Sequence, residues 1–97
     1  MKIEISVSFI TLETTFGVKT DVFGVEDQVD CLIFHAMQDE FAECDVNATS
    51  GASDSIEIWN EDGDPINPET INAPIRVTNA LNKIDWNQIQ YDLEAEM

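Results

Sequence analysis

The alternation of apolar and polar residues at the N-terminus is the sequence feature that most constrains the fold. Over residues 2–12, one face of an extended segment carries the apolar side chains Ile3, Ile5, Val7 and Phe9. A period of two is typical of a strand that is buried on one face. The alternation returns over residues 16–23, and Glu13, Thr14 and Thr15 suit the connection between the two runs. The sequence therefore predicts an N-terminal β-hairpin that ends at Gly24.

The apolar period becomes helical over residues 26–44. The apolar side chains that form one stripe are Val25, Val29, Leu32, Ile33, Ala36, Met37, Phe41 and Cys44. This spacing predicts one long amphipathic helix. Its acidic residues lie at both ends: Glu26, Asp27 and Asp30 come first, where the helix dipole favours anions, and Asp39, Glu40 and Glu43 come last, where it disfavours them.

Residues 45–60 predict a second hairpin, with a weak strand at Val46 and Ala48 and a better one at Ile56 and Ile58. An acidic turn follows at 60–65, then a short helical turn capped by Asn67 and a helix over 75–84. Asp85 begins a last helix, although the spacing of residues 89–93 also fits a short strand. The sequence therefore predicts a single α+β domain over residues 1–97. In it, a small antiparallel sheet of two hairpins packs against the long helix, with short helices at the C-terminus.

The charge of the chain is strongly one-sided. It has 20 Asp and Glu against 4 Lys and Arg, a formal charge of −16, yet 43% of its residues are hydrophobic, which is enough for a folded core. Residues 20–75 hold 14 of the acids and no Lys or Arg. Such a chain is not expected to bind nucleic acid directly or to approach an anionic membrane. Close self-association is also disfavoured, so we expect a monomer.

The remaining composition favours a cytoplasmic protein without catalytic chemistry. No apolar run reaches the roughly 18–20 residues of a membrane span, and the N-terminus lacks a secretory signal. Cys31 and His35 are spaced i,i+4, but Cys44 is too far along the same predicted helix to complete a metal site or to form a disulfide. Residues 45–57 are similar to a calcium-binding EF-hand loop only in their first positions. We therefore expect no enzyme activity, no cofactor and no metal.

Rows of carboxylates provide a reason for the charge. Acidic residues at i and i+3 or i+4 of a helix stand about 5–6 Å apart and can imitate successive phosphates. A basic nucleic-acid-binding cleft would accept such a surface, steered by long-range attraction. The candidate partner-binding residues are Glu26, Asp27, Asp30, Asp39, Glu40, Glu43, Glu61, Asp62, Asp64 and Glu69. The alternatives are a halophile's solvated surface, against which the 11 Ile and 7 Asn speak, and an acidic domain whose charge has no binding use.

In its length, its acidity and its 56-residue stretch without Lys or Arg, the whole chain resembles the small phage-encoded inhibitors of bacterial defence systems. It is similar in particular to anti-CRISPR proteins of the DNA-mimic kind, including those that act on a type I-F surveillance complex. This resemblance implies a stoichiometric inhibitor whose partner is a basic DNA- or RNA-binding protein or surveillance complex. It implies neither a fold nor a set of residues.

Two other functions remain open at the level of the sequence. The first is an immunity-type protein that neutralises a co-expressed nuclease toxin, which would share the acidity but bind one small enzyme. The second is a phage structural or adaptor protein, which would self-assemble or associate with virions. A pull-down distinguishes the first of these from an inhibitor of a large DNA-binding complex.

Overall fold

The computed structural model describes residues 1–19 and 25–87. Its elements, in chain order, are β1 (Lys2–Ser8), α1 (Phe9–Phe16), α2 (Val25–Glu40), β2 (Asp45–Gly51), β3 (Ser55–Trp59), β4 (Pro65–Ile66), the 3-10 helix η1 (Pro68–Ile71) and α3 (Ala73–Lys83). The α+β class predicted from the sequence is confirmed for these residues. No helix within them is both long enough and apolar enough to cross a membrane.

The predicted N-terminal hairpin is wrong, because the chain turns into helix α1 directly after β1. The Ser8 hydroxyl accepts a hydrogen bond from the Thr11 backbone N–H at 3.1 Å, which caps the new helix. Gly17 ends it in the left-handed conformation, with φ of 69°. Leu12, at the end of the first predicted strand, lies instead in α1 and is fully buried. Phe16 is thus the last residue of α1, and residues 20–23 of the predicted second strand lie outside the described residues.

The sheet is mixed and not antiparallel, and its order is β2-β1-β3-β4. β1 pairs in parallel with β2, from Lys2 opposite Asp45 to Ser8 opposite Gly51. It also pairs antiparallel with β3, where Lys2 is opposite Trp59. The strands predicted within 45–60 exist, but β1 separates them, so they do not form the predicted second hairpin. The hairpin that does form joins β3 to the two-residue β4.

The long amphipathic helix is confirmed as α2, although it ends at Glu40 and not at residue 44. Its apolar stripe packs on the face of the sheet that carries Ile3 and Ile5, and Phe41, just after the helix, is fully buried in the same core. Cys44 therefore lies beyond α2, and Cys31 and Cys44 are both free. The second face of the sheet carries the polar residues of β1, β2 and β3, and it is the less buried one.

The C-terminal prediction is partly confirmed. Asn67 caps η1 through its side-chain oxygen, which accepts the Glu69 backbone N–H at 3.0 Å. Helix α3 begins at Ala73, two residues earlier than expected, and it buries Val77 and Leu81. Ile75, in the first turn of α3, is 66% exposed. Asp85 accepts a hydrogen bond from the Asn87 N–H at 3.2 Å, and the rest of the predicted last helix lies outside the described residues.

Candidate partner-binding surface

The strand directions bring several acidic segments to one end of the sheet. β1 and β2 both start there, at Lys2 and Asp45, and β3 finishes there at Trp59. The turn between β3 and β4 and the end of α2, which leads into β2, lie at the same end. Its exposed carboxylates, together with that of η1, form the surface that we call the acidic end: Asp39, Asp45, Glu61, Asp62, Asp64 and Glu69.

The turn between β3 and β4 holds its three acids outward. The Asn60 side-chain oxygen accepts the backbone N–H groups of Asp62 and Asp64, each at 2.9 Å. Gly63 adopts a φ of 84°, a conformation that favours glycine. These hydrogen bonds fix the backbone of the turn, and Glu61, Asp62 and Asp64 are exposed to solvent.

η1 is joined to this end through Arg76. The Arg76 Nη1 donates to the backbone oxygen of Ile71, the last residue of η1, at 3.4 Å. The Arg76 Nη2 donates to the backbone oxygen of Glu40, the last residue of α2, at 2.6 Å. Glu69, in the first turn of η1, is exposed. The structure therefore exposes the four candidate acids that follow β3. Glu61, Asp62 and Asp64 lie in the β3–β4 turn, and Glu69 lies in η1.

The predicted acids at the start of α2 lie elsewhere. Glu26 and Asp27 are exposed in the first turn of α2, where the helix dipole favours their charge. This is the end of α2 where Asp30 contacts Ser50, near the finish of β2. The sequence placed all ten candidate acids on one binding surface, whereas the structure separates Glu26 and Asp27 from the acidic end by the length of the sheet.

Asp30 has a role within the fold. Its Oδ1 accepts the Ser50 backbone N–H at 2.7 Å and also the Ser50 hydroxyl. It is half-buried and ties α2 to the edge strand β2. A carboxylate that accepts a backbone N–H in this way stabilises a strand edge, so we remove Asp30 from the candidate contacts.

Glu40 and Glu43 are also used internally. Arg76 lies between them: its Nε is 3.1 Å from a Glu40 carboxylate oxygen, and its Nη2 is 2.7 Å from one of Glu43. The Arg76 guanidinium stacks on the Phe41 ring, 4.3 Å from the centroid. The Glu43 backbone N–H and the Arg76 side chain hold the pKa of Glu43 below its ordinary value. This cluster offsets the charge of Glu40 and Glu43, two of the three acids that the helix dipole disfavours, and leaves Asp39 unpaired among the described residues.

Three acids on the open face of the sheet are absent from the sequence-based set. Glu4 and Glu57 stand directly opposite each other on β1 and β3, and Asp45 stands opposite Lys2. Lys2 is 3.8 Å from Glu4, an exposed and therefore weak pair. The sequence pattern could have predicted their exposure, because all three residues occupy polar positions of strands in which apolar and polar residues alternate.

The basic residues do not balance the exposed acids. All four Lys and Arg of the chain lie within the described residues, and their ion pairs join Lys2 to Glu4, Arg76 to Glu40 and Glu43, and Lys83 to Glu40. Within the described part, no basic side chain contacts seven of the ten predicted acids: Glu26, Asp27, Asp39, Glu61, Asp62, Asp64 and Glu69. These seven are exposed.

The Cys31–His35 pair lies on the exposed side of α2. Burial raises the pKa of the other thiol, Cys44, which works against a reactive thiolate there. Within residues 1–19 and 25–87, no three His, Cys, Asp or Glu side chains are grouped as metal ligands. Comparisons of the chain with protein-family models, with curated proteins and with solved structures found no match.

Proposed function

We propose that the protein is a stoichiometric inhibitor that mimics DNA and occupies a basic nucleic-acid-binding cleft of a bacterial defence complex, in the manner of an anti-CRISPR protein. The acidic end is the surface that enters the cleft. Its carboxylates take the place of phosphates and receive charge-assisted hydrogen bonds from the Lys and Arg side chains of the cleft.

The observation that carries this proposal is the distribution of charge between the fold and the surface. Arg76 and Lys83 contact Glu40 at the junction of α2 and α3, and Lys2 contacts Glu4. The carboxylates of the acidic end are exposed, and within the described residues no Lys or Arg pairs with them. Arg76 is thus engaged within the fold, and the carboxylates of the acidic end are left on the surface without a Lys or Arg partner among the described residues.

This arrangement has a cost in stability. Like charges that face each other across strands, such as Glu4 and Glu57, destabilise a sheet. Clustered carboxylates in one turn repel each other within a Debye length of about 8 Å at physiological salt. A binding use for the charge accounts for this cost, since the field steers a cation-lined partner and suppresses wrong ones.

The test is competition with DNA for a purified type I-F surveillance complex, measured by the anisotropy of a labelled target duplex. We expect the protein to displace the duplex at a ratio near one to one, and the competition to weaken as salt rises. Glu61→Gln with Asp62→Asn removes two charges from the acidic end, and we expect it to weaken competition about tenfold or more.

Glu26→Gln with Asp27→Asn is the matched control, because it removes the same charge at the other end of α2. We expect it to change competition far less. If the control variant weakens competition more than Glu61→Gln with Asp62→Asn does, the assignment of the acidic end is overturned. If the unmodified protein and both double variants compete equally, mimicry is overturned. Charge reversal at Glu40 or Glu43 is unsuitable as a test of binding. A Lys at either position would repel Arg76, so the variant would report on folding and not on the partner contact.

A pull-down from the host distinguishes the alternative function. Recovery of one small nuclease, inhibited at the same ratio, would replace the defence complex with a toxin as the partner. In that case the acidic end would cover the basic substrate site of the nuclease, and the same two pairs of variants would locate the contact.

A further inference from the structure

A hollow of about 210 Å³ lies between α2 and α3. Its lining residues are Ala36, Asp39, Glu40, Ala80, Lys83 and Ile84. The apolar members form aliphatic walls, and the carboxylates and Lys83 form a charged rim. Because Asp39 belongs to the acidic end, the hollow adjoins the surface that enters the cleft.

Helix ends make the hollow favourable for a cation. α2 ends at Glu40 and α3 ends at Lys83, so the last turns of both helices line it. The C-terminal turn of a helix carries a partial negative charge and backbone oxygens without intrahelical partners. The last turns of two helices and the carboxylates of Asp39 and Glu40 therefore line the same space.

The cation already at the rim does not neutralise this space. Lys83 reaches a Glu40 carboxylate oxygen at 3.8 Å, and its side chain is 75% exposed, so this pair is loose. Asp39 is exposed, and no basic side chain contacts it within the described residues, which include every Lys and Arg of the chain. One carboxylate of the hollow is left for another cation.

Arg76, in the neighbouring turn, shows how the end of α2 binds a guanidinium. Arg76 donates to both the backbone and the carboxylate of Glu40, and its guanidinium plane rests on Phe41. A guanidinium is planar, weakly hydrated and carries five donors, so it suits a site with several fixed acceptors and an apolar wall. An ammonium group is a compact, strongly hydrated charge and fits such a wall less well.

We propose that the hollow receives one arginine side chain from the basic partner. The arginine stem lies along Ala36, Ala80 and Ile84, and its guanidinium is held by Asp39 and by backbone oxygens of the helix ends. This assignment rests on the proposed function, and it names the chemistry of one contact within it.

The experiment uses N-acetyl-arginine amide as the probe and N-acetyl-lysine amide as its comparison. Each is titrated into the ¹⁵N-labelled full chain while the backbone amides are followed by NMR. We expect saturable shifts at residues 36, 39, 40, 80 and 84 with the arginine probe, and only weak, linear shifts with the lysine probe. Equal responses to the two probes, or saturation mapped elsewhere, would overturn the assignment.

Two variants separate the site from general attraction to an acidic protein. Asp39→Asn should weaken binding of the arginine probe at least threefold, whereas Asp27→Asn, which removes the same charge from the other end of α2, should leave binding unchanged. Ala36→Leu fills the hollow without changing the charge and should abolish saturation. Retention of saturable binding by a folded Ala36→Leu protein would contradict the site.

The outcomes also separate this inference from the proposed function. If the arginine probe does not saturate but Glu61→Gln with Asp62→Asn still weakens competition with DNA, the hollow is not a contact and mimicry stands. If the probe saturates while the protein does not compete with DNA, the hollow binds arginine and the partner is of another kind.

Discussion

Asp54 joins the end of β1 to the start of α1 through both of its carboxylate oxygens. Oδ1 accepts the Ser8 backbone N–H at 2.7 Å, and Oδ2 accepts the Thr11 hydroxyl at 2.7 Å. Ser8 is itself the cap of α1. The Ser8 backbone N–H above all, together with the Thr11 hydroxyl, holds the pKa of Asp54 below its ordinary value.

We therefore expect Asp54→Asn to lower the free energy of unfolding by about 1 kcal/mol at pH 7, since a charge-assisted contact at a helix cap is lost. Because the folded pKa is lowered, this contribution is complete above the ordinary Asp pKa of about 3.9 and disappears as the pH falls through the folded value. Urea unfolding at pH 7 and near pH 2.5 measures both differences.

Asp62→Asn is the control for this prediction, because it removes the same charge from an exposed carboxylate that contacts no basic side chain within the described residues. It should not lower stability at either pH. A stability loss in Asp54→Asn that persists unchanged at the lower pH would show that the charge of Asp54 is not its source.

At the residue level, the sequence showed which positions are acidic but not which of them are paired. Seven of the ten candidate acids are exposed and without a basic partner among the described residues. Glu40 is hydrogen-bonded to Arg76, which lies 36 positions further along the sequence, and Asp30 is hydrogen-bonded to Ser50, 20 positions further along. Such contacts depend on how elements pack, and no local spacing indicates them. Asp54 was missed for the same reason, since its partners lie on β1 and α1.

At the level of elements, local patterns identified α2 and the start of β1 because each has only one compatible period. Residues 9–16 fit two readings: Phe9 extends the alternation of β1, while Phe9, Leu12 and Phe16 also have helical spacing. The cap at Ser8 and the left-handed Gly17 favour the helix. Strand partners were not predictable, since alternation specifies a buried face and not a neighbour.

The mixed sheet predicts an alternating pattern of hydrogen exchange along β2. The Asp45 N–H bonds to the Met1 oxygen, so the backbone of Asp45 points toward β1, whereas the Ser50 N–H points away, to Asp30. By alternation, Asn47 and Thr49 bond to β1, and Val46 and Ala48 point to the outer edge. We expect the amides of Val46 and Ala48 to exchange at least tenfold faster than those of Asn47 and Thr49.

NMR exchange at neutral pH measures these four amides within one strand, so each serves as the control for its neighbours. Uniform rates, or protection at 46 and 48 with fast exchange at 47 and 49, would contradict the position of β2 at the sheet edge. Asp30→Ala should accelerate exchange at Ser50 more than at Thr49, because only Ser50 loses its acceptor.

At the scale of the whole molecule, a charge of −16 makes repulsion the dominant surface interaction. A large net charge destabilises a compact state through self-repulsion, and salt screens this over a Debye length that falls from about 10 Å at 0.1 M to about 3 Å at 1 M. The attractions that salt would weaken are few among the described residues: the pairs of Lys2, Arg76 and Lys83.

We therefore expect NaCl between 20 mM and 500 mM to raise the Tm by several degrees, where roughly 4–8 °C corresponds to 1 kcal/mol for a domain of this size. The variant Glu61→Gln, Asp62→Asn, Asp64→Asn should melt higher than the natural sequence at 20 mM, because it relieves repulsion in the β3–β4 turn. The two melting curves should converge at 500 mM. A Tm that falls with salt, or a variant that stays equally displaced at both concentrations, would show that packing and not charge governs the stability of the acidic end.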